Sequence, residues 1–350
     1  MNLTQSEPVA TYRAPVFRKK SKWVIFKQNF ALLAMCVPAI AFFFLFSYVP
    51  MPGIYLAFVN FQYNLGILGI WKSPFVGFEN FRVLTIGGWS SPMFALTRNT
   101  VLYNIAFIIV GHVTQIAVAI MLNEITARWY RRVTQSMLLL PHFISIVVVG
   151  LFAFNLLNYD SGVIAGAMRN NLVQKYVAEG MDTNAALALA KNDPSIPKFY
   201  QTPIYWPFIL VVANTWKGVG YGSIVYFASL MGISTEIMEA ASIDGANAWQ
   251  RIRYIMLPLL KNTMIMLILF GIGGIVRGNF GLFYNMVGAK NTTLRPITDI
   301  IETFQWRMLT VQFNFSLGSA ISLYQSVFGL VLVLTSNGIV RKVNPESALF

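Results

Sequence analysis

Cysteine occurs once, as Cys36, so no disulfide can close within the chain and a small disulfide-stapled fold is excluded. Charge is scarce: Asp, Glu, Lys and Arg make up 11% of the 350 residues, against about a quarter in ordinary soluble domains. A water-soluble enzyme needs a charged surface that this chain lacks. Acidic side chains are the rarer half, 13 against 26 basic, and the formal charge is +13. That excess does not read as a nucleic-acid surface, because the basic residues flank long apolar runs and form no face interleaved with aromatics. There is no Gly-X-Y period, low-complexity tract or internal repeat. No Gly-x-x-x-x-Gly-Lys-Ser/Thr phosphate loop is present, so nucleotide chemistry of that kind is not expected of this chain. His112 and His142 lie in separate apolar stretches with no Cys, Asp or Glu at ligand spacing, and no metal site is expected.

What is present is apolar: 56% of the residues are hydrophobic and 15% aromatic. A helix needs about 20 mostly apolar residues to cross a bilayer core. Six stretches qualify, at residues 31–49, 99–123, 133–158, 206–231, 258–276 and 317–340, with Lys217 and Lys261 the only charges inside them. No run of about ten alternating residues suggests a membrane strand, and a helix satisfies its own backbone polar groups. The expected fold is therefore all-α, a polytopic membrane protein with six transmembrane helices. Ala39-Ile40-Ala41 has the form of a signal-cleavage site, but cutting there would leave Phe42-Phe43-Phe44-Leu45-Phe46 at a new terminus. An uncleaved first span is expected.

Orientation follows from the basic residues near span ends. With the amino terminus inside, the inner segments hold Arg13, Arg18, Lys19, Lys20, Lys22, Lys27, Arg128, Arg131, Arg132, Arg251, Arg253, Lys261, Arg341 and Lys342. The longer outer segments hold Lys72, Arg82, Arg98, Arg169, Lys175, Lys191, Lys198, Arg277, Lys290, Arg295 and Arg307. The inner charges crowd the span ends, so both termini are expected in the cytoplasm.

This divides the chain into a basic tail at 1–30, a first span with an external interfacial segment at 31–98, a core of five spans at 99–340, and a cytoplasmic tail at 341–350. Within 31–98, Phe75-Val76-Gly77-Phe78-Glu79-Asn80-Phe81 reads as an amphipathic element of the outer interface or as an ordinary loop helix. An external insertion at 160–201 is long enough to contact another protein, and residues 184–191 inside it predict a short helix. The Gly-xxx-Gly spacing from Gly274 to Gly278 and the 15 methionines read as packing.

The most specific pattern lies in the loop 232–258, between the fourth and fifth spans. From Thr235 the residues make an amphipathic helix with Glu236 in its first turn, where the helix dipole favours a carboxylate. Gly245 allows a sharp turn, Ala248 to Ile255 restarts the helix, and Pro258 opens the next span. The result is a short helix lying across the membrane face with small residues that let another surface come close.

Glu239-Ala240-Ala241, three residues, Gly245, nine residues, Ile255, one residue and Leu257-Pro258 together resemble the signature of the membrane subunits of ABC-type importers, with every fixed position matched. Trp216-Lys217-Gly218-Val219-Gly220, the 75–81 element, Leu323-Tyr324-Gln325-Ser326, Arg341-Lys342 and Ala348-Leu349-Phe350 are similar to the carbohydrate-import branch, particularly permeases for oligosaccharides derived from polysaccharides. The resemblance spans nearly the whole chain apart from the insertion. It implies a type I ABC importer permease fold in a bacterial inner membrane, and a chain that is not itself an enzyme. It also implies a second homologous permease, two ATPase subunits carrying ATP and Mg, and an extracytoplasmic solute-binding protein. Glu239, Ala240, Ala241, Asp244, Gly245, Leu257 and Pro258 would form the contact to the ATPase. An ion-gradient-driven secondary transporter is the alternative, although such folds show duplicated halves and none is visible here.

Lys217 interrupts the fourth apolar run, where a cation costs at least about 2.5 kcal/mol unless it reaches water or a partner. It is expected to face a cavity, to snorkel to an interface, or to pair with backbone carbonyls. Trp216, Lys217 and Tyr221, with Arg277, Asn279, Phe280 and Tyr284 at the exit of span five, are the candidate substrate path, because rings beside amides and cations suit sugar faces and hydroxyls. The surplus of bases in the outer segments suggests an acidic saccharide.

Overall fold

The computed structural model describes Trp23, Phe26, Lys27 and residues 29–343. The expected basic tail before residue 23 and the closing residues 344–350 lie outside the described residues. Regular structure is helical, with one isolated antiparallel bridge, Val59 to Phe75, among the described residues. The chain divides into two compact units, Met1–Gly53 and Ile54–Phe350.

In the first unit α1 (Phe30–Phe43) continues into a π turn, Phe44–Tyr48, and none of its residues is buried. It is apolar on every side, and a helix without a polar face suits lipid rather than water.

The second unit holds the remaining helices. α2 (Pro92–Glu124) starts with Ser91 as its N-cap, whose hydroxyl accepts from the Met93 amide, and with Pro92 at a position where a missing N–H costs nothing. The expected third span is a pair, α3 (Arg128–Phe143) and α4 (Ile146–Leu157), bent by 88° at the break between them. Pro141 sits in the last turn of α3 and Ser145 is extended, so the helical ladder stops there. The external insertion folds as α5 (Val163–Ala178) and α6 (Thr183–Lys191), the latter capped by Asp182. α7 (Trp206–Met231) is followed by α8 (Thr235–Ile243) and α9 (Ala248–Arg251). Then come α10 (Leu257–Gly273), α11 (Phe280–Val287), α12 (Ile301–Thr310) and α13 (Phe315–Val343).

The fifth span starts earlier than expected: Ala248–Gly273 runs as one 26-residue helical stretch through a π turn, Ile252–Met256, just before Pro258. A proline cannot donate into the ladder, and the wider turn ahead of it takes up the mismatch. The Gly274–Gly278 spacing, read from sequence as helix packing, is not helical, because α10 ends at Gly273. Among the described residues five helices are long and apolar enough to cross a membrane, and six spans result if the bent pair is one.

Long-range bonds sort the loops of the second unit into two ends. Arg251 pairs with Glu124 at 3.6 Å, so the loop after α2 and the loop after α7 share one end, here the loop end. Asn99 donates to the Pro296 and Asp299 carbonyls (3.2 and 3.1 Å), Phe61 N–H to Ser316 (2.8 Å) and Asn291 to the Tyr200 carbonyl (3.0 Å), which gathers the other connections at the far end. The bent pair passes between these ends: Arg131 lies over Phe227 on one side, and Phe154 packs on Tyr200 on the other.

Buried residues form one cluster near the loop end, around Ile116, Tyr226, Leu230, Met256 and Leu260. Two more lie toward the far end, one around Tyr103, Trp206, Leu210 and Phe283, the other around Met93, Leu96, Ile301 and Ile321. α7 presses on α3 where Gly220 faces Leu138: a Cβ there would stand 1.8 Å from the Leu138 carbonyl oxygen, so only glycine permits the approach.

Candidate functional site

The loop 232–258 is closed by its own residues. Ser234 caps α8 by accepting from the Glu236 amide at 3.2 Å. At the other end of α8 the Ala246 amide donates to the Ala241 carbonyl (2.9 Å) and the Gly245 amide to that of Ser242 (3.2 Å), with Gly245 at φ 80°. This is the left-handed helix stop that glycine adopts without a Cβ penalty. Asn247 and Gln250 then form a reciprocal capping box at the start of α9, with bonds of 2.9 and 2.8 Å. Arg251 ties the loop back to Ser242 and Glu124.

The geometry leaves Glu239, Ala240, Asp244, Gly245 and Pro258 exposed, with Ala241 and Leu257 half-buried. Glu239 and Asp244 have no ion pair among the described residues. Beside them Ile243 is 86% and Trp249 65% exposed. A solvated loop has no reason to hold large apolar side chains outward, whereas a docking face does. The capping residues Ser234, Asn247 and Gln250 were not singled out from sequence, although their types and spacing signal helix starts.

On α7, Asn214, Lys217 and Tyr221 share one face by their spacing of three and four. The Lys217 ammonium donates to the carbonyls of Pro141 (3.3 Å), His142 (2.9 Å) and Ile144 where α3 breaks, the first of which also accepts from the Ile144 amide at 3.3 Å. Of the three expectations for this cation, pairing with backbone carbonyls is the one observed, and a positive charge at a helix C-terminus is also favoured by the dipole. The exposed ring of Tyr221 stacks on His142, with centroids 4.6 Å apart and planes within 10°. Trp216 points to another face, against a groove with Trp129, Met137 and Pro141. His112 shares a 2.8 Å hydrogen bond with the Tyr226 hydroxyl.

Span five ends in an irregular turn whose carbonyls are satisfied from distant elements. Asn104 donates to the Ile275 and Arg277 carbonyls (3.0 and 3.3 Å), and Gln325 to that of Val276 (2.5 Å). Glu302 accepts from the Gly278 amide and from Gln325, both at 2.5 Å, while its Oε2 is buried without a partner. Burial raises its pKa, opposed first by the hydrogen bond from Gly278 and then by Gln325 and the charge of Arg277. Nearby, burial pushes the Tyr200 hydroxyl up to about 12, and that hydroxyl donates to the Met286 carbonyl at 3.0 Å.

The turn delivers Arg277 and Asn279 to the surface and starts α11. Asn279 caps α11 at the Leu282 amide (3.2 Å) and its amide reaches Asn214 at 3.4 Å, which joins the two groups of candidate path residues through a residue the sequence reading did not name. Phe280 and Tyr284 pack with a third ring, Trp306 of α12, at centroid distances of 5.0 Å within the pair and 6.3 and 4.8 Å to Trp306, the last edge to face. Nothing in local spacing links Trp306 to residues 280–284, and only the fold brings them together.

Residues 108–346 match the family described as the inner membrane component of binding-protein-dependent transport systems, and the chain belongs to that family. Among its relatives, Protein LplB of Bacillus subtilis (strain 168) is 28% identical over 328 residues, covering 94% of this chain and 91% of its own length. The polygalacturonan/rhamnogalacturonan transport system permease protein YteP of the same organism is 29% identical over 337 residues, 95% of each chain. The fold is similar to a chain in the crystal structure of a bacterial ABC transporter involved in the import of the acidic polysaccharide alginate, with a TM-score of 0.74 and 29% identity over 92% of this chain and 99% of that one. A second structure, of a bacterial alginate ABC transporter in complex with an alginate pentasaccharide-bound periplasmic protein, aligns with a TM-score of 0.73 at 28% identity, covering 92% of this chain and 98% of that one.

Proposed function

We propose that this chain is the permease subunit of an ATP-driven importer that moves an oligosaccharide, derived from a polysaccharide, across a bacterial inner membrane. The observation that carries the reading is the loop 232–258: a rigidly capped helix–turn–helix, bearing exposed Glu239, Ala240 and Ile243, in a chain of the binding-protein-dependent family. Six spans, counting the bent pair as one, leave both termini on one side of the membrane, and the basic residues near the span ends favour the cytoplasm as that side. The loop end then meets two ATPase subunits that hold ATP and Mg, and the far end meets an extracytoplasmic binding protein, with the insertion 160–201 as part of that face. A second, homologous permease completes the path.

In this reading Glu239, Ala240, Ala241, Asp244 and Gly245 form the docking face for the ATPase, and Leu257 and Pro258 anchor it to span five. Asn279, Asn214 and Tyr221 give a polar strip from the far end to mid-membrane. Lys217 serves that strip by holding the break of the third span, Arg277 stands at its mouth, and Phe280 and Tyr284 supply ring faces. Trp216 turns toward the neighbouring groove. The saccharide transport of the relatives points to a saccharide, and the surplus of outer bases to an acidic one.

Purification together with an ATPase, and saccharide uptake that stops on ATP depletion but survives an uncoupler, tests the assignment. Uptake abolished by collapsing the ion gradient alone would overturn it in favour of a secondary transporter.

A further inference from the structure

The loop 232–258 and the body of span five are joined through a soft point. Between α9, which ends at Arg251, and α10 lies the π turn Ile252–Met256, with Pro258 just beyond it. A wide turn beside a proline holds the helical ladder less firmly than regular helix does, so movement of the loop passes poorly along α10 alone. Arg251 stands immediately before that turn and reaches around it. One guanidinium nitrogen donates to the Ser242 hydroxyl of α8 at 3.2 Å, and the other pairs with Glu124 of α2 at 3.6 Å.

Glu124 is a local misfit. It is the last residue of α2, whose last turn holds no basic residue, and the negative end of the helix dipole disfavours a carboxylate there. A residue that breaks a local rule points to a gain made elsewhere, and the contact Glu124 makes is the one to Arg251. Helix α2 is suited to pass movement on, because it runs unbroken for 33 residues with proline only at its start. About 30 Å back along its axis, at 1.5 Å per residue, Asn104 donates to the Ile275 and Arg277 carbonyls at 3.0 and 3.3 Å. One turn further on, the Thr100 hydroxyl accepts from the Ile301 amide at 3.0 Å. The same helix therefore grips the docking loop at one end and, at the other, the turn that delivers Arg277 and Asn279.

We propose that the Arg251–Glu124 pair is a transmission contact: it passes ATP-driven movement of the docking loop to α2, and α2 passes it to the turn 274–279 at the mouth of the path. Arg251 and Glu124 are then positioning residues for transport. The proposal rests on the importer reading above and adds the route by which its two ends communicate. The pair keeps 25% and 39% of its side-chain surface exposed, and an ion pair of that kind adds little to stability. Its removal should leave the fold in place and change only which parts move together.

The test uses the full complex with its ATPase and binding protein in lipid nanodiscs. It reads amide exchange with and without ATP, Mg and orthovanadate, which arrest an ATPase after hydrolysis. In wild type the nucleotide is expected to change exchange about fivefold both in the loop 232–251 and in the turn 274–279, the low end of couplings between sites. Glu124→Gln and Arg251→Gln keep the copurified ATPase, its basal hydrolysis and the response of the loop, and lose most of the response of the turn. The exchanged pair, Glu124→Arg with Arg251→Glu, restores part of it. Without nucleotide the turn exchanges as in wild type in every variant, a result that separates transmission from mere support. A full response of the turn in both single variants overturns the proposal and leaves the importer standing. So does a wild-type complex whose loop responds and whose turn does not. Faster exchange of the turn in Glu124→Gln without nucleotide also overturns it, since the pair is then a static brace. A chain that copurifies with no ATPase removes the importer reading and the transmission contact together.

Discussion

The loop 232–258 and the bent pair 128–157 both interrupt a helix, and they close the open ends in opposite ways. In the loop the helix ends are capped by neighbours, Ser234 to Glu236, Ala246 to Ala241 and Asn247 with Gln250, and the one distant tie is the Arg251–Glu124 ion pair. In the bent pair the open carbonyls of 142 and 144, and with them that of 141, are met by Lys217, between 73 and 76 positions away. The difference follows from the solvent. A loop in water can leave a carbonyl to a water molecule, so short caps suffice. A break at membrane depth has no water to fall back on, so it needs a committed donor brought by another helix.

The comparison can be broken at several points. The largest effect is expected where α7 meets the bent pair. Gly220→Val places carbon against the Leu138 carbonyl, and overpacking of this kind costs about 1–3 kcal/mol or more. Little folded protein should survive detergent extraction, while Gly218→Ala, with no neighbour near its Cβ, should behave as wild type. Equal yields of the two variants would mean that α7 does not need its close approach.

Next comes the committed donor. Lys217→Met leaves the His142 and Ile144 carbonyls without their donor while Pro141 keeps the Ile144 amide, and each buried polar group left unmade costs about 1–3 kcal/mol. A clear fall in Tm is expected, with partial recovery in Lys217→Arg. An unchanged melting point in Lys217→Met would show that water reaches the break and would erase the contrast with the loop.

The loop should respond differently. Gly245→Val forces a branched residue into the left-handed region at a local cost of about 1–2 kcal/mol. Membrane insertion and Tm should change little, yet ATP hydrolysis should no longer drive transport. Glu239→Ala should uncouple in the same assay through loss of its charge. Full transport in both variants would refute the docking face.

The smallest effect concerns the insertion. Asp193 is bonded by Ser195 and, at 2.7 Å, by the Tyr176 hydroxyl, which lowers the carboxyl pKa and raises that of the phenol. A lowered carboxyl stabilises above its unfolded value and loses that contribution as pH falls through the folded one. A raised phenol stabilises below its unfolded value and loses it as pH rises through the folded one. The tie between α5 and the end of the insertion is thus complete only between about pH 4 and pH 10. Amide exchange across residues 163–191, corrected for intrinsic rates, should rise outside that window and rise at neutral pH in Tyr176→Phe. Exchange that is flat with pH would show that the tie carries no weight.

Composition alone decided that this is a helical membrane protein, because a chain with 11% charged residues can only hide its apolar surface in lipid and only helices satisfy their backbone there. The loop 232–258 was readable for a related reason: its helix starts, its stop at Gly245 and its exposed face depend on residues within a few positions of one another. What sequence could not supply were the partners at long range. The break after Phe143, the assignment of Lys217 to it, the meeting of Asn279 with Asn214, and the arrival of Trp306 beside Tyr284 all depend on which helices pack together. Inside a bilayer that choice is made by close approach at positions such as Gly220 and by the demand that every buried polar group find a donor or acceptor, and neither leaves a periodic mark in the chain.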